Sequence, residues 1–483
     1  MRLIRCDRAG KTGRLVRGAC AARGVRLRPS RKTLPRRSHP TTPAGSPVRG
    51  GLLLGASVTS IHWCAWLQSL RTSETRTVLG CFGNEDGYEG SVANYTQVRT
   101  GRHDQRAQEA GTHALNQAIA TLGETGLQAA AINQGTMVVN AVAGIADVAT
   151  GALVTPDTLF PVLSMSKGVT ATIVHRLVER GVLAYDEPLA RWWPAFAAHG
   201  KGGITVRHAL SHPTGLQAFK NLDRSEYPSL NATGRNLEEA TPDYAPGASM
   251  GYHGMTFGTL LGKVIEGATG KPFAQVLHEE ITGPLGIPEL YRGVPDVPAV
   301  TNRIAALLPS GIPDSATGLV EMTDAERAPL AVTEAERGKR EFQTGCMPAG
   351  GMITNAGSIV RMYGAMREPG LDGVRMLTPE TIANATIPYF GADGRHIQWA
   401  GRMGLGYVIG GSPHLGCDVV IPSPWADSFG HIGLGGSLPM YCPSRDLAVA
   451  LTKNALMPGR LECHTWDLVM RAITGALGLP YEA

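Results

Sequence analysis

Ser164 and Lys167, in the run Phe160-Pro161-Val162-Leu163-Ser164-Met165-Ser166-Lys167, stand three residues apart. On a helix that spacing puts two side chains on one face, one turn apart, so a lysine amine reaches a serine hydroxyl. The pair is a nucleophile beside a base provided the amine is uncharged, which burial and nearby positive charge favour. A helix start also offers backbone N–H groups and positive dipole to an oxyanion forming on a carbonyl under attack. The same residues fit an N-cap serine followed by a solvated lysine, and Ser-x-x-Lys alone does not choose.

Two other patterns compete for attention. Gly247-Ala248-Ser249-Met250-Gly251 matches Gly-x-Ser-x-Gly, whose nucleophile-elbow form needs a strand before it and a helix after. Asp243-Tyr244-Ala245-Pro246 reads as a turn instead, so Ser249 is expected to be non-catalytic. His208 and His212 have metal-ligand spacing, yet no Glu follows His208 in the His-Glu-x-x-His manner and no third ligand is evident. Both are expected to be structural, with no metal and no cofactor.

The elements that must position Ser164 show in the periodicity. Val169, Ile173, Leu177 and Val178 recur at helical spacing within Met165 to Val182, and Gly181 is placed to end that helix. Leu127 to Ile132 and Met137 to Ile145 read as strands of a hairpin joined at Asn133-Gln134-Gly135-Thr136. Ala114, Leu115, Ala118, Ile119 and Leu122 mark a preceding amphipathic helix. Further helices are expected over Phe257 to Ala268, Ala356 to Met366 and Cys463 to Leu477, the last ended by Gly478, with strands near Leu438 to Tyr441 and Leu447 to Thr452.

The run ADVATGALVTPDTLFPVLSMSKGVTAT, with the later ITVRHALSHPTGL, resembles the serine β-lactamase and penicillin-binding-protein superfamily, in its esterase-like branch near class C β-lactamases. The likeness covers roughly residues 105 to 480. It implies an α+β fold of the β-lactamase/transpeptidase type: an antiparallel sheet flanked by helices, facing a mostly helical subdomain within about 185–400, with the active site between them. It also implies roles. Ser164 is the expected nucleophile and Lys167 its base. Tyr252, in Tyr252-His253-Gly254, takes the place of the tyrosine that relays a proton. Met347 to Met352 resembles a Gly-Gly turn closing the site from below. Ser428 to Ser437 stands where β-lactamases carry Lys-Thr-Gly, here as His431-Ile432-Gly433 followed by Leu434 and Gly435. The Leu434 N–H is expected to pair with that of Ser164 as an oxyanion hole, with His431, Gly433 and Gly435 on the substrate side. Two departures matter. Gly254 stands where β-lactamases commonly carry Asn, and His431 replaces a permanent cation. Both remove groups suited to β-lactams.

Charge divides the chain unevenly. The first fifty residues hold 14 Lys and Arg against Asp7 alone, which leaves 31 basic and 39 acidic residues in the rest. The body is therefore mildly acidic and offers no nucleic-acid face. Residues 1–104 are expected to form a basic, disordered extension and linker, and 105–483 the hydrolase domain. The Arg-rich beginning fits an organelle transit peptide or, slightly preferred, an extension from a start assigned too early. Gly51 to Leu70 is apolar but interrupted by His62 and Gln68, so no stable membrane insertion is expected. The dispersed cysteines suggest neither a zinc site nor a disulfide framework, which mildly favours a reducing compartment such as the cytoplasm and leaves export open.

The expected function is a serine hydrolase acting on short-chain carboxylic esters through an acyl-enzyme. The alternatives are a β-lactamase or D-amino-acid peptidase, an acyltransferase, and a non-catalytic binding protein on the same fold. The expected partner is a small ester or lactam; the sequence leaves the oligomeric state open.

Overall fold

A computed structural model describes residues 104–309, 334–389, 402–411, 422–456 and 462–481. The expectations for residues 1–103, including the apolar stretch from Gly51, lie outside them. Asp104 caps helix α1 (Gln105–Leu122) by accepting from Ala107 N at 3.1 Å.

Strands β1 (Gly126–Asn133) and β2 (Thr136–Asp147) form the expected hairpin. Its two-residue turn has positive φ at Gln134 (49°) and Gly135 (77°), a conformation that glycine adopts without strain. With β3 (Ala152–Leu153), β4 (Arg402–Met403), β5 (Val408–Ile409), β6 (Phe429–Gly430), β7 (Leu438–Cys442) and β8 (Leu447–Lys453), they build an eight-stranded antiparallel sheet in the order β3-β2-β1-β8-β7-β6-β5-β4. Because β1 lies beside β8, the ends of the domain meet in the middle of the sheet.

Alternation along the central strands buries both sheet faces. Leu127, Ala129 and Ala131 of β1, with Val449 and Leu451 of β8, pack beneath α1 and the C-terminal helix α7 (Glu462–Ala476), around Leu115, Trp466 and Ile473. Fully buried apolar side chains of this size contribute about 1.5–3 kcal/mol each. Ala130, Ile132, Ala448 and Ala450 point the other way, into the core shared with α2 (Ser166–Glu179), α4 (Thr256–Thr269) and α6 (Ala356–Gly364). The alanines on this face let α6 come close enough for Gly364 to rest on Ile132. Between them, buried Gln128 accepts from Ala356 N (3.0 Å) and Thr452 Oγ1 (3.1 Å), and donates to Thr155 O (2.7 Å) and Thr158 O (3.0 Å). That amide ties the sheet to the loop leading into Phe160 and Ser164.

The expected helices and strands are all present, with ends within a few residues of their expected positions. Arg180 ends α2 and Gly181 follows at φ 71°; Gly478, at φ 70°, follows α7. No described helix is long and apolar enough to cross a membrane. One expectation needs correction. Cys463 is disulfide-bonded, so the dispersed spacing concealed a bridge. The short helix α5 (Glu334–Arg337) carries Arg337, which reaches inward to Gly350 O.

Candidate active site

Phe160–Pro161 pairs antiparallel with Ile353–Thr354, and Val162 N donates to Met352 O at 3.0 Å, so a short ribbon delivers the chain to Ser164. Ser164 sits in a 3-10 turn, Leu163–Met165, that runs directly into α2, one step earlier than the first α-helical turn expected. Leu163 has φ 50°, a left-handed conformation that costs a branched residue about 1–2 kcal/mol. Ser166 holds it there: its hydroxyl donates to Leu163 O (2.6 Å) and accepts from Met352 N (3.1 Å). No spacing rule picks out Ser166, and it was missed.

Lys167 is fully buried, and its Nζ lies 3.0 Å from Ser164 Oγ, 2.7 Å from Gly254 O and 3.0 Å from Ala349 O. Burial, and after it the charge of Arg337, holds this amine well below the usual lysine range. A neutral amine has two N–H donors and one lone pair. Carbonyls only accept, so in the neutral form Gly254 O and Ala349 O take the two donors and the lone pair is left for the serine hydroxyl, whereas the protonated form donates to all three oxygens. The solvated-lysine alternative is thereby removed. Gly254, notable in the sequence for the side chain it lacks, contributes its main-chain oxygen.

Tyr252 lies across the amine, its ring centroid 5.0 Å from Nζ. The segment that carries it is clamped by the Ser211-His212-Pro213-Thr214 turn. His212 Nδ1 accepts from His253 N (3.1 Å), and Thr214 Oγ1 pairs with His253 Nε2 (2.5 Å). His253 Nδ1 lies 2.5 Å from Gly251 O, so Nδ1 carries the proton and Nε2 accepts from Thr214. The His212 ring stands 5.0 Å from Tyr252 and 5.2 Å from Phe257. Burial pushes His253 down to about 4 and His212 well below its ordinary range, so both are neutral spacers. His208 does something else: it completes the capping box of helix α3 (Val206–Ser211) with Thr205. The two imidazoles of the i, i+4 pair thus serve different elements.

His431 follows β6 and is fully buried, 6.3 Å from Tyr252 between ring centroids. Its Nδ1 lies 2.9 Å from Ile432 O and must be the protonated nitrogen, which leaves Nε2 as an acceptor. Burial pushes it down to about 3, so this strand end carries no positive charge from position 431. A Cβ on Gly433 would lie 2.3 Å from Val162 O, so the 433–434 backbone runs against the segment that carries Ser164. Leu434 keeps a partly exposed side chain, whereas Gly435, at φ 90°, backs onto Leu456. Ser249 sits in an irregular stretch with neither strand before nor helix directly after, as its turn-like surroundings indicated.

Comparison with known proteins gives the same picture. A family profile described as Beta-lactamase matches residues 115–473. "Esterase/beta-lactamase LipL" of Mycobacterium tuberculosis is 31% identical over 61% of this chain and 69% of its own. "Esterase EstB" of Burkholderia gladioli is 31% identical over 55% of this chain and 70% of its own. The crystal structure of a penicillin-binding-protein homolog from Caulobacter crescentus superposes with a TM-score of 0.66 at 29% identity, over 78% of this chain and 99% of that one. The profile spans most of the sequence and takes in every residue of the site described above, so the chain belongs to the Beta-lactamase family and is a serine hydrolase.

Proposed function

We propose that the protein is a carboxylesterase of short-chain esters that works through an acyl-enzyme on Ser164. The observation that carries this is the placement of the buried Lys167 amine, 3.0 Å from Ser164 Oγ and within hydrogen-bond distance of Gly254 O and Ala349 O; as a free base it spends both donors on those carbonyls and leaves its lone pair for the hydroxyl. Ser164 Oγ attacks the ester carbonyl as its proton passes to Lys167 Nζ. The charge that develops on the carbonyl oxygen meets the N–H groups of Ser164 and Leu434. Collapse breaks the bond to the leaving alkoxide, which takes its proton by way of Tyr252. Water then attacks the acyl-enzyme with the same proton route reversed, releasing the acid and restoring Ser164.

The ester preference rests on what the site lacks. Gly254 has no side-chain amide to meet a lactam's amide group, and His431 is neutral where a lysine would attract a substrate carboxylate. The names of two relatives agree, since both contain "Esterase"; one also contains "beta-lactamase", which keeps lactam hydrolysis as the second reading.

The test is hydrolysis of p-nitrophenyl butyrate and of a chromogenic cephalosporin by the full chain and its Ser164→Ala variant. The expected result is ester turnover that vanishes in Ser164→Ala, with cephalosporin turnover far slower. Comparable efficiency on both substrates would reject the ester preference. Ester formation outpacing hydrolysis on addition of an alcohol would make the protein an acyltransferase, and ester turnover that survives in Ser164→Ala would remove the nucleophile.

A further inference from the structure

The Ala349-Gly350-Gly351 turn has two sides. From one, Lys167 Nζ donates to Ala349 O at 3.0 Å; from the other, Arg337 Nη1 donates to the next carbonyl, Gly350 O, at 3.2 Å. The two side chains thus grip consecutive carbonyls of one turn. Arg337 also lines a small cavity with Pro161, Phe342, Met347, Gly350 and Gly351, which puts its guanidinium beneath the strand that leads to Ser164. The turn is pinned elsewhere as well. Gly350 N and Gly351 N both donate to Met347 O, and Met352 N donates to Ser166. A shift of Arg337 is therefore transmitted to the carbonyl that orients the amine.

We propose that Arg337 is a positioning residue for the reaction: it braces the carbonyl turn on which the Lys167 amine is set and stations a permanent positive charge behind that amine, keeping it a free base. The inference rests on Lys167 being the proton acceptor of the proposed esterase. The other titratable groups facing the amine are Tyr252 and His253 from the segment before α4, His212 from the end of α3, and His431 from the end of β6. Burial holds the three imidazoles neutral, so Arg337 is the permanent charge in this set. Burial is the larger influence on the amine and Arg337 the second, which fixes the direction of the effect of removing it. Without the guanidinium the amine becomes easier to protonate, and a higher pH is needed to free it.

The experiment compares pH profiles of kcat/KM for p-nitrophenyl butyrate in the full chain and in Arg337→Gln, Arg337→Met and Arg337→Lys, with thermal unfolding recorded for each. In Arg337→Gln and Arg337→Met the acid limb is expected to move up, by an amount on the order of one pH unit or less, as removal of one like charge near a buried amine requires. Most of the alkaline plateau is expected to remain, and Arg337→Lys is expected to return the limb toward its original position. A limb that stays in place in both neutral variants would overturn the proposal, as would an equal loss of activity at every pH. Should Arg337→Gln fail to fold, Arg337→Met decides, because it keeps the apolar length of the side chain. The functional reading fails separately, on a parent protein whose ester turnover does not depend on Ser164.

Discussion

Replacing Lys167 by Met tests the free-base amine through stability and through rate. The side chain is fully buried, and burial is the first cause that holds its amine well below the usual range. In the unfolded chain a lysine stays protonated up to about pH 10.4. Between the folded and unfolded pKa values, therefore, the unfolded state binds one proton more than the folded state. Stability then rises with pH through that window, at about 1.4 kcal/mol per unit, and the penalty is complete below it. Met removes the slope. It also orphans Gly254 O and Ala349 O, at roughly 1–3 kcal/mol for each buried carbonyl left unpaired. Two effects of opposite sign compete, and the pH decides between them. The variant gains on the parent protein as pH falls toward neutrality and loses ground toward pH 10. Urea unfolding of both proteins at pH 7, 8 and 9 measures the difference, in which other titrating groups largely cancel. The expected gap changes by about 1.4 kcal/mol per pH unit, while kcat/KM on p-nitrophenyl butyrate falls by about 10² to 10⁴. Parallel stability curves across those three pH values would mean that Lys167 is charged in the folded protein, and the proton-transfer argument would fall with it.

Tyr252→Phe is expected to cut kcat/KM by about 10² while barely moving the unfolding midpoint, since the ring still packs on His212; an unchanged rate would exclude the phenol from proton relay. Ser249→Ala is expected to hydrolyse p-nitrophenyl butyrate at the parent rate, because its Gly-x-Ser-x-Gly lies in an irregular stretch; inactivation there would reinstate the elbow. Ser166→Ala removes the clamp on Leu163 and the acceptor of Met352 N, and is expected to lower stability by about 1–3 kcal/mol in urea titration together with a fall in kcat. Glu124→Gln breaks the buried pair between the α1–β1 turn and Lys453 at the end of β8, where Thr465 of α7 also donates to Glu124, and is expected to cost about 3–5 kcal/mol without altering KM in the surviving folded enzyme, measured by calorimetry and steady-state kinetics.

The sequence made most of the scaffold legible because it is built from simple periods. Leu127 to Ile132 alternates between two buried faces, and Val169, Ile173 and Leu177 mark one side of α2. The spacing of Ser164 and Lys167 made them candidates, but the choice between a catalytic pair and a capped helix start came with the flanking elements and the family likeness, and Tyr252 and His431 came through that likeness alone. What stayed hidden depends on contacts between distant segments. A leucine at φ 50° announces nothing by its residue type, and the Ser166 hydroxyl that holds it bonds across 186 residues to Met352. His212 and His208 looked alike, one turn apart, yet one caps a helix and the other shoulders Tyr252 from forty residues upstream. Arg337 was invisible because its polar surroundings carry no period, and the bridge at Cys463 because spacing does not reveal pairing.

The bond from Lys167 to residue 254 is made to a main-chain oxygen, 2.7 Å away, and every amino acid supplies one. Gly254 is not among the glycines held at positive φ, so its backbone does not reserve the position for glycine. On the proposed mechanism the base is therefore anchored at this point by the main chain, and the anchor does not depend on which side chain residue 254 carries.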